Sequence, residues 1–132
     1  MNKSMNWGEY FELRCMADMQ KRMIEKGCLG QIYTPIVDDS GIDFLIRTEN
    51  GKSTTVQVKS RIGGNRPFTV KKVAADWFVL YYLEKETKPY ILSKEEMIDA
   101  LHKTNHPKRD KVLKCADRDF DYILVHSGLK KA

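Results

Sequence analysis

The chain has no CxxC pair, no long apolar run and no low-complexity stretch. Its three cysteines, Cys15, Cys28 and Cys115, are scattered along the sequence. That spacing excludes both a disulfide framework and a zinc knuckle, and leaves reduced thiols as the default. The longest apolar run, residues 77–83, is far short of the roughly 20 residues that a membrane-spanning helix needs. The first fifteen residues lack the charged-then-apolar layout of a signal peptide, so the expected location is the cytoplasm. No repeat and no linker-like shift in composition divides the chain. Acids are missing from residues 59–72, "KSRIGGNRPFTVKK", where five basic residues stand without one.

The 132 residues suit one domain spanning 1–132, with 42% hydrophobic and 31% charged residues as in an ordinary globular protein. The net charge is +5 and the pI about 9.1, an excess compatible with nucleic acid that does not establish it. A second basic region runs over residues 103–114, with His102 and His106 beside it. Either basic stretch read alone is equally well a solvated loop. His102, His106 and Cys115 fit no common zinc spacing.

A helix is predicted over residues 7–26. Asn6 is a suitable N-cap, Glu9 stands three residues on, and Gly27 suits a left-handed terminator. Steps of about 100° put Tyr10, Leu13, Met16, Ala17, Met19, Met23 and Ile24 on one apolar arc. Two carboxylates fall within that arc. Glu9 is explained by the cap. Glu12 lies more than a turn inside, and burying an unpaired carboxylate costs several kcal/mol, so Glu12 is a candidate site residue.

Three strands are predicted next, over residues 31–37, 42–48 and 52–60, followed by the basic loop and one or two helical turns in "TVKKVAAD". "WFVLYYL" reads as a fully buried strand and residues 90–92 as a short one. Ser93 with Glu96 opens a further helix to about residue 102. "RDFDYILVHSG" fits a strand or a short helix equally.

The hairpin within 42–60 carries the chemistry. A two-residue turn at Asn50-Gly51 turns Asp43 away from Gln57 and Lys59. A three-residue loop Glu49-Asn50-Gly51, with Gly51 left-handed as a bulge, pairs Thr48 with Lys52. That register puts Asp43 opposite Gln57, with Lys59 on the same face, and groups Ile42, Phe44 and Ile46 with Val56 and Val58 on the other. The Asp43 carboxylate, the Gln57 side-chain carbonyl and the Val58 backbone carbonyl form an oxygen set suited to a hard cation such as Mg²⁺. Lys59 is placed to orient or deprotonate an attacking water and to offset phosphate charge. An isolated D…QxK pattern is otherwise a half-polar strand.

The helix "GEYFELRCMADMQKRMIEKG", then "SGIDFLI", "VQVKS" and "ADWFVLYYL", together resemble the PD-(D/E)xK nuclease superfamily. The resemblance is closest to its small Holliday-junction-resolvase-like and group I intron-encoded endonuclease members, and it covers residues 8–83. It implies a restriction-endonuclease-like core, a central mixed β-sheet flanked by helices in the order α-β-β-β-α-β. It also implies catalytic roles for Glu12, Asp43, Gln57 and Lys59, with Asp43, Gln57, the Val58 carbonyl and Glu12 at the metal. Gln57 stands where the family more often has an acid, as it does in a family subset. Ser40 resembles a small polar residue that some resolvases keep near the metal.

The expectation is therefore an Mg²⁺-dependent DNA endonuclease, with Mn²⁺ as a substitute, acting as a homodimer or higher homo-oligomer because a duplex has two strands. Arg61, Arg66, Lys71 and Lys72 are its expected phosphate contacts. The rivals are a non-catalytic nucleic-acid-binding module of the same fold, and a protein-interaction domain that uses the "WFVLYYL" strand edge.

Overall fold

The computed structural model describes residues 6–35, 41–61, 72–82, 89–104 and 118–129. Its elements run α1 (Trp7–Glu25), β1 (Gly30–Tyr33), β2 (Phe44–Thr48), β3 (Ser53–Arg61), β4 (Trp77–Tyr82), β5 (Tyr90–Ser93), α2 (Lys94–Thr104) and α3 (Phe120–His126). The five strands form one sheet in the order β1-β2-β3-β4-β5. Only β3 and β4 are parallel; the other neighbours are antiparallel. The architecture is α/β, a mixed sheet flanked by helices, as expected.

Local chemistry explains where the elements begin and end. The Asn6 side chain accepts from the Glu9 N–H at 2.8 Å, which caps α1. At its far end Gly27 adopts φ 68°, while the Cys28 N–H reaches the Met23 carbonyl and the Gly27 N–H reaches that of Ile24. This is a Schellman closure, and it needs a residue that tolerates positive φ. Ser93 and Glu96 form a reciprocal capping box at α2, with each backbone N–H bonded to the other's side chain. The tail segment resolves as a helix, α3, capped by Asp119.

The buried stripe of α1 matches the predicted arc only at Met19 and Met23, with Met16 packed beside it. Phe11, Cys15, Met19 and Met23 are buried, whereas Tyr10, Leu13, Ala17 and Ile24 are exposed. Apolar side chains surround most of this helix, so periodicity alone does not select the face. Packing against the sheet and α3 selects it: Phe11 stacks on Tyr81 at 4.7 Å, and Arg22 pairs with Asp119 at 2.7 Å. Glu12 is half-buried beside the true stripe.

The sheet buries both faces. On one, α1 and α3 cover Phe44, Ile46, Val56, Trp77, Val79, Tyr81 and Ile91. On the other, Phe78, Leu80, Tyr90 and Leu92 pack with Ala75 and with Met97 of α2. β4 lies between β3 and β5, with Phe78 through Tyr81 fully buried. From Trp77 to Leu80 this strand is therefore bonded on both sides, and that stretch offers no free edge of the kind the protein-interaction reading uses. The helical turns expected in "TVKKVAAD" are absent from its described part. Residues 72–74 are irregular, Ala75 is buried, and Asp76 is tied to β3, its N–H donating to Thr55 Oγ1 at 2.9 Å and its carboxylate accepting the Thr55 N–H at 3.0 Å. Those bonds hold the chain extended as it enters β4. The rest of that segment lies outside the described residues.

Candidate functional site

The hairpin closes as the three-residue turn requires. The Thr48 N–H bonds the Lys52 carbonyl at 2.8 Å, and Gly51 sits at φ 86°. Phe44 faces Val56 and Ile46 faces Thr54, so the expected register holds along the whole of β2. It then slips. The Asp43 N–H donates at 2.9 Å to the carbonyl of Val56, the residue already opposite Phe44. Two consecutive residues thus meet one residue of β3, as in a β-bulge. Asp43 is accordingly not squarely opposite Gln57. Ile42 joins the α2-side cluster instead of sharing a face with Phe44 and Ile46.

The slip gives the Asp43 side chain a different task. Its Oδ2 accepts the Val58 N–H at 2.6 Å, the place in the ladder where a β2 carbonyl would stand had the register continued. In a strand, the N–H and C=O of one residue point to the same edge. The Val58 carbonyl is therefore directed to the side of β3 that β2 has just left. Asp43 and the Val58 backbone meet in the gap between the two strands.

Gln57 pairs with Phe78 and Lys59 with Leu80, so both side chains stand on the α2 face. Gln57 is only 9% exposed, and its Oε1 has no hydrogen-bond partner. Lys59 is half-buried. Glu12 comes from α1, on the opposite face. Burial pushes the Cys15 thiol of α1 up, and the charges of Asp18, Asp43 and Glu12 push it further. Burial likewise raises the Tyr81 hydroxyl, which abuts that thiol and finds no partner of good hydrogen-bond geometry. Asp43 thus stands at the divergence of β2 from β3, beside the stretch of β3 that carries Gln57 and Lys59, while Glu12 stands on the α1 side of the sheet.

Of the expected phosphate contacts, Arg61 ends β3 half-buried. Lys72 is exposed, and its backbone lies against Gly41, where an added Cβ would meet the Lys72 carbonyl at 3.4 Å. That contact puts Lys72 beside the segment leading into Asp43. Arg66, Lys71 and Ser40 lie outside the described residues, as do His106, Cys115 and the side chain of His102. Among the described residues no group of three His, Cys, Asp or Glu is arranged to hold a metal ion, and no helix is long and apolar enough to cross a membrane.

A polar hollow of about 300 Å³ lies at the other end of the sheet, lined by Thr54, Asp76, Trp77, Ser93, Lys94 and Ser127 among others. The Trp77 indole donates to Ser127 at 2.7 Å, Ser127 donates to Thr54 at 3.3 Å, and Thr54 donates to Asp76 at 3.3 Å. This chain ties α3 to the strands and is structural. Sequence reading did not pick out Asp76 or Arg14, because neither sits in a recognisable spacing.

With this geometry the fold is similar to that of a bacterial homing endonuclease, I-Ssp6803I. The two superpose with a TM-score of 0.50 over 70% of this chain and 70% of that one, at 19% sequence identity. The fold is thus that of a nuclease-like α/β domain. No protein-family model matches the chain, and no curated protein matches it.

Proposed function

We propose that the protein is a metal-dependent DNA endonuclease of the PD-(D/E)xK type, hydrolysing phosphodiesters at the divergence of β2 from β3. The observation that carries the reading is the Gln57 Oε1, a nine-tenths buried carbonyl oxygen without a hydrogen-bond partner. Such a group costs about 1–3 kcal/mol, and proteins keep few without a use. An oxygen-seeking divalent cation, Mg²⁺ or Mn²⁺, would satisfy it, and the Asp43 carboxylate, the Val58 carbonyl and Glu12, directly or through water, are the oxygen donors that would complete its shell. When bound, the ion polarises the phosphodiester and makes a nucleophile of water at neutral pH.

The chain's own residues do the rest. The Val58 N–H fixes the Asp43 carboxylate at 2.6 Å, so the ligand is oriented before any cation arrives. Lys59, half-buried on the Gln57 face, holds the attacking water and offsets charge on the phosphate. Arg61, Arg66, Lys71 and Lys72 run the DNA backbone past the site. A second copy of the chain supplies the site for the other strand.

Incubation of the protein with linear and branched DNA and Mg²⁺ or Mn²⁺ tests the reading. Nicking is expected, and Asp43→Ala and Lys59→Ala are each expected to reduce it by about a hundredfold or more. Salt-dependent binding without nicking under either metal would replace the reading with its rival, a non-catalytic nucleic-acid-binding module of the same fold.

A further inference from the structure

We propose that one flank of α1 receives an unpaired nucleotide of the substrate strand, its base stacked on the rings of Trp7 and Tyr10 and its phosphate on the Arg14 guanidinium. The inference rests on the nuclease reading and narrows its substrate to DNA with an unpaired base near the cut.

Trp7, Tyr10 and Arg14 are spaced three and four apart, which sets them on one side of the helix, and Lys21 continues the row two turns on. Two aromatics followed by two cations is the pattern of a single-strand binding surface: rings for bases, cations for the backbone. The rings are held for that use. Trp7 meets Tyr10 edge-on at 5.5 Å, Tyr10 meets Phe11 at 5.0 Å, and Phe11 is anchored on Tyr81. Yet Trp7 and Tyr10 remain 46% and 42% exposed, with ring surface left open to a ligand.

Arg14 supplies the charge complement. Its guanidinium lies 5.7 Å from the centre of the Tyr81 ring, and its Nε stands 3.7 Å from Asp18, too far for a hydrogen bond. That contact is an ion pair one helical turn long, so a phosphate takes the bidentate grip of this planar fork in competition with Asp18. The acid of the first turn, Glu9, falls on the far side of the helix; Asp18, one turn beyond Arg14, is the acid that stands on this flank.

The location is apt. Tyr81 pairs with Ser60, the residue after Lys59, and Phe11 precedes Glu12. The flank therefore stands near the same end of β3 as the candidate site, on the sheet face opposite Gln57 and Lys59. Fully paired duplex keeps its bases stacked within itself and offers none to a ring on the protein. A frayed, bulged or branched strand does.

Trp7 fluorescence in EDTA, titrated with an oligothymidylate of about ten nucleotides, a length within single-strand site sizes, tests the inference without requiring turnover. Trp77 is only 6% exposed, so quenching reports Trp7. Quenching is expected. Trp7→Ala should weaken binding about five- to a hundredfold, the range for one stacked base, and Trp7→Phe should restore most of it. Arg14→Ala should reduce the slope of log affinity against log salt by about 0.7, one single-strand phosphate. Leu13→Ala, exposed on another side of the helix, should change nothing. Unaltered fluorescence, or wild-type affinity in both Trp7→Ala and Arg14→Ala, overturns the inference even if duplex DNA is cleaved. Ring-dependent oligothymidylate binding without cleavage of any DNA supports this flank and removes the nuclease reading instead.

Discussion

Gln57 sets stability against function within one side chain. Its unpartnered Oε1 is a cost to the free protein, so Gln57→Leu, of similar reach, should raise the stability measured by thermal or denaturant unfolding by about 1 kcal/mol while abolishing nicking. Gln57→Glu should act differently: the added charge should lower the Mg²⁺ concentration for half-maximal nicking, read by metal titration. Nothing but the strand pattern and the family resemblance pointed to Gln57, and β3 does carry it, on the face opposite α1. What the sequence did not disclose is that Asp43 answers to Val58 and not to Gln57. That follows from a single backbone slip, and no residue type announces it. Glu12 was singled out by an apolar arc that proved misplaced; its half-burial beside Phe11 keeps the argument about an interior carboxylate alive on a different stripe.

At the scale of elements, turn and cap chemistry was the most legible part. "ENG" fixed a register that holds through Phe44, since only the three-residue loop joins the two strands with their aliphatic faces aligned. Gly51→Ala should cost about 1 kcal/mol, because φ 86° is left-handed, and Gly51→Asn should cost less. Gly30→Ala should cost more for a different reason. A Cβ there would stand 2.7 Å from the Arg47 carbonyl, so β1 would be pushed off β2; loss of the β1 amides' hydrogen-exchange protection would report it. The capping box at α2 carries a pH dependence. Burial works to raise the Glu96 carboxyl, but the Arg118 hydrogen bonds outweigh it and hold the group below the ordinary 4.5. The pair's stabilisation is thus complete above about 4.5 and fades as pH falls through the lowered folded value. Glu96→Gln should cost roughly 1 kcal/mol at pH 7, discounted for an exposed carboxylate, with the difference from wild type shrinking on acidification below 4.5. The helix faces were the least legible, since a helix apolar nearly all round lets its neighbours choose which side is covered.

For the molecule as a whole, a mixed sheet with helices on both faces was readable from the order of the elements, while most of the basic stretch lies outside the described residues. The protein's affinity for duplex DNA should fall steeply with salt, each neutralised phosphate adding about 0.9 to the slope of log affinity against log salt. Arg61→Ala and Lys72→Ala should each remove about one such unit, measured by titration at several salt concentrations. A chain with one site that breaks both strands should sediment as a dimer or larger, and a catalytically inert subunit mixed into such an assembly should convert double-strand breaks into nicks.

The slip at Asp43 bears on how a substrate must arrive. Because the carboxylate meets the Val58 N–H in the gap between the strands, and not above either surface, a phosphate in the proposed reaction could not simply land on a face. On the proposed reading it would enter edge-on, into the crotch where two strands part company, beside the stretch of β3 that carries Gln57 and Lys59. One extra residue in a ladder has turned a flat wall into a doorway.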